Sequence, residues 1–363
     1  MATETQIKAK KAKMDEFYTQ YADIEKEMNA YLEFNPNVFR GKTVLLPCDD
    51  PEWSNFTKYF AQKFEALGLK KLISTSFAPN SKPQGITHQP TLFELESPEF
   101  DGEKTQTNGK IFTLTNDLSG DGVVDVDDLQ WSYLKGNGDF LGDEIKALRD
   151  EADIIITNPP FSLFRNFLAW IMEAQKEFVI VGNQNAITYK EVFPLIKDNR
   201  MWLGKGFHRS MAHFYTPFVP HSKWIEQEGD HIVRVAGVQW FTNIEHGRRH
   251  QPLALMTQAD NIKFSKHKEI KGVGYKTYDN YDAIEVPFTD AIPSDFEGVM
   301  GVPITFLTKY NPDQFEILGL GASAGYDPAI VGLPFLGDKD ARPLVNGKNT
   351  YARIFLRRKK EPK

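Results

Sequence analysis

The residues with the clearest chemical meaning in this 363-residue chain are Asn158-Pro159-Pro160-Phe161. They directly follow the β-branched run Ile154-Ile155-Ile156, which predicts a buried parallel strand that ends at a rigid turn. Because proline lacks an N–H and restricts the backbone, this turn holds its carbonyl groups in fixed directions. An amide side chain, a carbonyl and an aromatic ring then project from the carboxyl end of a strand, where ligands bind in open α/β sheets. An ordinary Pro-Pro loop is the alternative.

The elements that position this tetrad alternate between strand and helix. The pattern predicts a strand at 43–46, a helix capped by Ser54 or Asn55 and ended by Gly68, and a second strand at 71–77. This spacing is typical of a right-handed parallel crossover. A further helix is predicted at 15–31, strand–helix alternation returns at 154–181, and later segments alternate like antiparallel strands. Residues 79–130 read as an acidic insertion.

Composition limits the class of protein. The single cysteine, Cys48, excludes an internal disulfide framework and fits a reducing compartment. The chain has no apolar run of about 18 residues, and its polar, lysine-rich N-terminus lacks the pattern of a signal peptide. We therefore expect a soluble cytoplasmic protein without a membrane partner. The length suits one α/β domain with a smaller appended region.

Charge is segregated along the chain. The net charge is −6, yet thirteen Lys and Arg stand against seven Asp and Glu between Lys197 and Lys276. This stretch therefore carries +6 and the remainder −12, and seven of the eight histidines lie in the same stretch. The C-terminus is basic as well. A basic surface on an acidic protein is expected for contact with a phosphate backbone, and a solvated charged face is the alternative.

The tetrad resembles the catalytic motif of S-adenosylmethionine-dependent methyltransferases that act on amino groups. Further segments resemble the EcoRI-type adenine-specific DNA methyltransferases, in order along nearly the whole chain. These segments include Cys48-Asp49-Asp50-Pro51, Ser54-Asn55-Phe56 and Gly138-Asp139-Phe140, with others at 15–21, 67–73, 157–164, 187–193, 278–284 and 298–304. The chain departs from the family at 79–130 and over much of 205–275.

The resemblance implies an α/β fold with a Rossmann-like S-adenosylmethionine methyltransferase sheet, mostly parallel with antiparallel strands at the end. We predict an N-terminal arm and helix at 1–40, a catalytic domain at 41–245 that includes the acidic insertion, and a DNA target-recognition region with a basic tail at 246–363. The implied activity is methylation of adenine N6 in a short site of double-stranded DNA, GAATTC in the best-known member. Such an enzyme protects DNA from a restriction endonuclease. We expect a monomer, associated with the nucleoid when on DNA, without a stable protein partner.

The chemistry of the target explains the residue types in the tetrad. The N6 lone pair of adenine is delocalised into the ring, so the amine is a poor nucleophile. The Asn158 side-chain oxygen and the Pro159 carbonyl can accept its two hydrogens and free the lone pair. Phe161 can stack on the base, which must leave the duplex to be reached. The alternative interpretation of Phe161 is an aromatic residue of the hydrophobic core. Positioning of the amine in line with the activated methyl group of the donor then supplies most of the rate enhancement.

Cofactor contacts are implied by the resemblance alone, because the usual glycine-rich loop after the first strand is absent. Asp49 or Asp50 could bind the cationic amino group, or could be a charge pair at a helix N-terminus. Asp139 and Phe140 resemble the pair that binds the cofactor adenine, with an exposed turn as the alternative. No residue is assigned to the ribose. The predicted cofactor contacts are Thr19, Asp49, Asp50, Asp139, Phe140 and Asn158.

The basic stretch supplies candidates for DNA contact. Arg248 and Arg249 could bind phosphate or guanine, although a solvated turn is as good an interpretation. Lysines nearby are spaced for neutralising the backbone, which positions a protein without reading sequence. These lysines are Lys263, Lys266, Lys268 and Lys271.

Residues 117–128 match the spacing of a twelve-residue calcium loop, with oxygen side chains at the expected positions and Gly122 at position six. The last position is Asp instead of Glu, and no second loop accompanies it. A structural calcium site and an acidic surface turn both fit. The candidate ligands are Asp117, Ser119, Asp121, Val123, Asp125 and Asp128.

Two other functions share these features. Methyltransferases of amino groups in RNA or protein glutamine carry the same tetrad, but the basic stretch and the long C-terminal region favour DNA. A non-catalytic DNA-binding module on an inactive methyltransferase fold would not need Asn158. The intact tetrad favours an enzyme.

Overall fold

The computed structural model describes residues 18–48, 54–78, 97–207, 211–215, 232–322, 327–337 and 340–359. These residues form two compact units. Unit 1 contains the described parts of Met1–Asn183 and Gly206–Ile244, and unit 2 contains those of Gln184–Lys205 and Glu245–Lys363.

The strands and helices are numbered in chain order. The strands are β1 (Tyr18–Thr19), β2 (Thr43–Leu46), β3 (Lys71–Thr75), β4 (Lys110–Leu114), β5 (Gln130–Tyr133), β6 (Ile154–Thr157), β7 (Glu177–Asn183), β8 (Trp202–Leu203), β9 (Met211–Tyr215), β10 (Ile232–Ala236), β11 (Val238–Thr242), β12 (Lys276–Thr277), β13 (Ile284–Glu285), β14 (Met300–Pro303), β15 (Phe315–Gly321), β16 (Leu344–Val345), β17 (Lys348–Asn349) and β18 (Arg353–Arg358). The helices are α1 (Tyr21–Phe34), α2 (Asn55–Gln62), α3 (Phe64–Leu67), α4 (Lys104–Thr107), α5 (Asp143–Glu151), α6 (Phe164–Glu173), α7 (Phe193–Lys197), α8 (Gln258–Phe264) and α9 (Pro328–Val331). Within the described ranges, no helix has the length and apolar character needed to cross a membrane.

A large mixed sheet forms the centre of unit 1, with strands in the order β5-β4-β3-β2-β6-β7-β11. The four central strands are parallel, and β11 pairs antiparallel with β7 as the sequence predicts for the end of the domain. The other edge differs from the prediction, because β4 and β5 are also antiparallel. They lie in and beside the segment predicted as an insertion. The alternating burial of β4 is typical of an antiparallel strand, whereas β2 and β6 are buried throughout.

Local sequence signals account for the first crossover. The Ser54 hydroxyl caps α2 by accepting hydrogen bonds from the backbone N–H groups of Phe56 and Thr57, at 3.1 and 3.5 Å. Gly68 ends α3 in the left-handed conformation, at φ 64°. The apolar face of α2, including Phe56 and Phe60, joins the core that covers β2 and β3.

A second, three-stranded sheet in unit 1 has the order β1-β9-β10. The sequence predicts helix from residue 15, but the described chain has β1 before α1 begins at Tyr21. Thr19 in β1 lies opposite Phe214 in β9. The alternation near 211–215 and 233–236 is therefore antiparallel as predicted, but it belongs to this separate sheet.

Unit 2 contains a five-stranded sheet in the order β12-β13-β14-β18-β15 and the small hairpin β16-β17. Only the pair β13-β14 is parallel. Buried aromatic side chains of Tyr278, Tyr281 and Phe355 form part of its core.

Candidate active site

The tetrad begins at the carboxyl end of β6, which is buried along its whole length and lies between β2 and β7. Asn158 is half-buried and Pro159 is buried. Phe161 starts a single 3-10 turn, after which α6 begins at Phe164. The chain therefore stops its strand at the prolines and presents the tetrad at the centre of the sheet edge, as the sequence predicts.

Phe161 connects the tetrad to the small sheet. Its half-buried ring lies edge-to-face with the ring of Phe214, with centroids 6.5 Å apart. Phe214 is the cross-strand partner of Thr19. Through Phe214, the structure therefore brings β1 and its predicted cofactor contact to the neighbourhood of the tetrad.

Thr19 carries a buried hydroxyl without a hydrogen-bond partner among the described residues. The residue is only 2% exposed. Its backbone carbonyl, by contrast, accepts a hydrogen bond of 2.8 Å from the Asn55 side-chain amide at the start of α2. A buried hydroxyl is costly without a partner, so the Thr19 hydroxyl is a candidate for contact with a ligand.

The loop that carries Asp139 and Phe140 packs against the carboxyl end of β3. Gly138 has φ 81°, and a Cβ atom there would lie 2.1 Å from the carbonyl oxygen of Ser76. Only glycine fits this close approach, which fixes the loop beside the strand end. The Asp139 carboxylate accepts a hydrogen bond from the Leu141 backbone at 3.0 Å.

Phe140 is an aromatic core residue in this structure. It is 8% exposed and packs edge-to-face against Phe167 and Trp170 of α6, at centroid distances of 5.2 and 5.7 Å. Its contact with a cofactor ring stays a prediction. Asp49 and Asp50 lie outside the described residues.

The predicted DNA contacts in unit 2 differ in how exposed they are. Arg249 is only 3% exposed, and its guanidinium lies 3.7 Å from the centre of the Trp202 ring while donating to Asn199. The Arg249 guanidinium is thus buried and has its partners inside unit 2. We therefore do not retain Arg249 among the proposed DNA contacts. Half-buried Arg248 donates to the Lys205 carbonyl.

The lysines after Arg249 are exposed. Lys263 ends the polar face of α8 and its Nζ lies 4.9 Å from the centre of the exposed Phe264 ring. Lys266 forms an ion pair of 2.7 Å with Asp290, and Lys268 is exposed nearby in sequence. These side chains can reach a ligand at the surface.

The predicted calcium loop closes on its own backbone. The Asp128 carboxylate accepts hydrogen bonds from the N–H groups of Leu118 and Ser119, both at 2.7 Å, and Asp117 accepts one from Gly120 at 2.6 Å. Backbone hydrogen bonds, of which the one from Ser119 has the largest effect, hold the pKa of Asp128 below its ordinary value.

This arrangement gives no support to the calcium prediction. Among the residues the structure describes, no group of three or more His, Cys, Asp or Glu is placed to hold a metal ion. Backbone N–H groups donate hydrogen bonds to the carboxylate oxygens that would have to bind a metal. The loop is therefore an acidic turn. The structure does not support a metal site at the predicted ligands, which are Asp117, Ser119, Asp121, Val123, Asp125 and Asp128.

Comparison with known proteins decides the family. The family model described as "Adenine-specific methyltransferase EcoRI" matches residues 6–359. The chain belongs to this family. It is 40% identical to the Type II methyltransferase M.EcoRI of Escherichia coli, over 97% of this chain and 96% of that protein.

Two Mycoplasma proteins are also similar to the chain over most of their length. The Type II methyltransferase M.MpnI of Mycoplasma pneumoniae is 33% identical, over 97% of each chain. The Type II methyltransferase M.MgeORF184P of Mycoplasma genitalium is 34% identical, over 97% of this chain and 98% of that protein. The comparison with solved structures gave no match. The protein is therefore an adenine-specific DNA methyltransferase of the EcoRI family, and the family implies S-adenosylmethionine as the methyl donor.

The residues of unit 1 fit such a donor. The Thr19 hydroxyl, which has no hydrogen-bond partner among the described residues, offers a buried polar contact close to the tetrad. Sequence reasoning missed Asn55 and Phe214, which hold Thr19 from two sides. Asn55 reads as a possible helix cap, and Phe214 as one aromatic residue in an alternating strand. No local signal could have connected either residue to Thr19.

Proposed function

We propose that this methyltransferase modifies N6 of an adenine flipped out of a short duplex site, and that GAATTC is the first site to test. The observation that carries this proposal is the position of Asn158 to Phe161 at the carboxyl end of central strand β6, with Phe161 against Phe214. The physiological result would be protection of DNA from a restriction endonuclease.

In the proposed mechanism, the Asn158 side-chain oxygen and the Pro159 carbonyl accept hydrogen bonds from the two N–H groups of the target amine, and the methylated nitrogen, which is strongly acidic, then loses one proton to solvent. Both acceptors are neutral, so neither neutralises the cationic donor. Pro160 fixes the turn, and Phe161 stacks on the extruded base. When bound, S-adenosylmethionine supplies a methyl group that its sulfonium already activates. The protein contributes orientation and the exclusion of water.

For the cofactor we propose contacts from four segments of unit 1. Thr19 would bind the methionine end through its hydroxyl, and Asn158 would face the same end. Asp139 and Phe140 would bind the adenine, and the loop with Asp49 and Asp50 would contribute an anionic partner for the amino group.

Thr19→Val tests the first of these contacts. Valine has nearly the same shape but no hydroxyl, so we expect S-adenosylmethionine binding to weaken roughly 3- to 10-fold, the effect of one neutral hydrogen bond. The melting temperature of the free protein should stay equal or rise, because a buried unpartnered hydroxyl is removed. Calorimetric titration and thermal unfolding measure the two quantities. Unchanged binding would exclude the contact.

We propose that unit 2 contains the target-recognition region. Arg248, Lys263, Lys266 and Lys268 would contact DNA phosphates and thereby position the duplex. This proposal is supported by the exposure of the lysines and by the surplus of basic residues between Lys197 and Lys276. We further propose that the enzyme acts as a monomer, methylating one strand at a time.

Lys268→Ala tests the phosphate contacts. Because each neutralised phosphate releases counterions, the slope of log K against log salt concentration should fall by about 1 for one lost contact. Affinity for unrelated DNA should fall in parallel, since phosphate contacts carry no sequence information. Binding titrations at several salt concentrations measure the slope. Lys348→Ala, an exposed lysine of β17 outside the proposed set, should leave it unchanged.

Methylation sequencing of DNA from cells that express the protein tests the function itself. We expect N6-methyladenine at one short motif, and its loss when Asn158 is replaced with alanine. Modified adenine at GAATTC alone would identify the site. Absence of modified adenine with both proteins would contradict the DNA substrate and direct the search to RNA or protein glutamine.

A further inference from the structure

The contact between Asn55 and Thr19 joins two elements of unit 1 that are distant in sequence. The Asn55 side-chain N–H donates to the Thr19 carbonyl oxygen at 2.8 Å, across 36 positions. Asn55 is the first residue of α2, directly after the capping Ser54. The bond ends on the same residue whose buried hydroxyl has no partner among the described residues.

The donor side of this contact is firmly held. Ser54 is buried and caps α2 through two backbone N–H groups. One turn later, the Thr57 hydroxyl lies 2.9 Å from the Ser74 hydroxyl of β3, and both residues are buried. The helix start is therefore fixed to the large sheet, and Asn55 projects from a rigid position.

The acceptor side is a short edge strand. Among the residues that the structure describes, Thr19 belongs to a strand of two residues at the edge of the three-stranded sheet, where it pairs only with β9. An edge strand this short has few backbone hydrogen bonds of its own. The amide of Asn55 adds a hydrogen bond from α2 to this short strand.

We propose that Asn55 is a positioning residue for the methyl donor: it holds the Thr19 backbone so that the Thr19 hydroxyl meets S-adenosylmethionine. The inference rests on the proposed cofactor role of Thr19. Asn55 acts through Thr19 and touches neither the donor nor the target base. Loss of its amide lowers affinity for the donor and leaves the transfer step intact once the donor is bound.

The test is a double-mutant cycle read out by calorimetric titration of the full-length protein with S-adenosylmethionine. Asn55→Ala is expected to raise Kd roughly 3- to 10-fold, the effect of one hydrogen bond, and to raise KM for the donor equally. At saturating donor and DNA, kcat should stay within about twofold. In the Thr19→Val background, Asn55→Ala should change Kd by less than about twofold, because the group it positions is already absent. Additive effects would overturn the proposal.

Two further variants keep the result interpretable. Asn55→Asp preserves size, lacks the N–H donor at neutral pH, and places a carboxylate in the first turn of α2, where it favours the helix. This variant should fold, and its affinity for the donor should be lower than that of the wild type, as for Asn55→Ala. Affinity equal to wild type would overturn the proposal.

Tyr21→Phe is the matched control. It removes a 3.0 Å hydrogen bond from Tyr21 to Gln62, which also joins the start of α1 to α2 but does not reach Thr19. Its Kd should match wild type, and a loss equal to that of Asn55→Ala would overturn the specific role. A wild-type protein that binds no S-adenosylmethionine would instead contradict the proposed function.

Discussion

Replacing Asn158 with alanine is expected to lower kcat by roughly 10²- to 10³-fold, the range for loss of one preorganised polar group that acts on the transition state. In the proposed mechanism, the Asn158 oxygen accepts a hydrogen bond from the target amine as its nitrogen becomes nucleophilic, so the interaction strengthens during transfer. The same proposal gives the donor and DNA other contacts as well. We therefore expect their dissociation constants to change far less than kcat.

Single-turnover methylation of a duplex with one target site measures this effect. Ser162→Ala provides the control, because Ser162 is exposed on the same 3-10 turn and has no proposed role. Its kcat should match wild type. An Asn158→Ala enzyme that retains most of its kcat but binds the donor poorly would contradict the catalytic assignment and leave Asn158 as a cofactor contact.

Replacing Glu285 with alanine is expected to destabilise unit 2 by about 3–5 kcal/mol, because it leaves a buried guanidinium without its counter-charge. Arg353 of β18 donates to both Glu285 carboxylate oxygens, at 2.7 to 3.1 Å, and both side chains are buried. The Tyr278 hydroxyl donates to the same carboxylate, and burial raises the pKa of Tyr278 far above its ordinary value. A Cβ atom at Gly301 would lie 2.2 Å from the Tyr278 hydroxyl, so this hydroxyl packs directly against the Gly301 backbone.

Thermal and urea unfolding measure the loss, and a drop of roughly 10 °C in Tm is expected for a unit of this size. Glu316→Ala is the matched control: Glu316 and Arg357 form an exposed ion pair of 3.6 Å between neighbouring strands of the same sheet. Exposed pairs contribute at most about 1 kcal/mol. Equal losses in the two variants would show that burial of the Glu285–Arg353 pair is not the cause.

The predicted DNA contacts differ in burial for a physical reason. Clustered basic residues in the sequence indicate a charged surface, but they do not say which side chain finds a partner inside the fold. Arg249 is buried against Trp202, whereas the lysines after it are exposed. Burial depends on residues brought in from other parts of the chain, and charge patterns carry no information about them.

Strand pairing shows the same division. The predicted strands at 43–46 and 154–157 form with those bounds, because buried parallel strands are continuous apolar runs. The segment at 79–130 reads as an insertion because Pro, Gly and acidic residues interrupt the strand–helix pattern there, although it contains β4. Which sheet a short strand joins, as with β1, is decided by partners far along the chain.

The sequence by itself determined the family, the position of the Asn158–Phe161 tetrad and the strand that presents it, since Ile154–Thr157 and the two prolines act through local backbone preferences. The tertiary structure decided what surrounds the tetrad. The meeting of Phe161 with Phe214, the hydrogen bond from Asn55 to Thr19, and the backbone hydrogen bonds that close the acidic loop all depend on folded geometry. The first two join residues far apart in sequence, and the third depends on which partner a carboxylate meets; spacing in a sequence specifies neither.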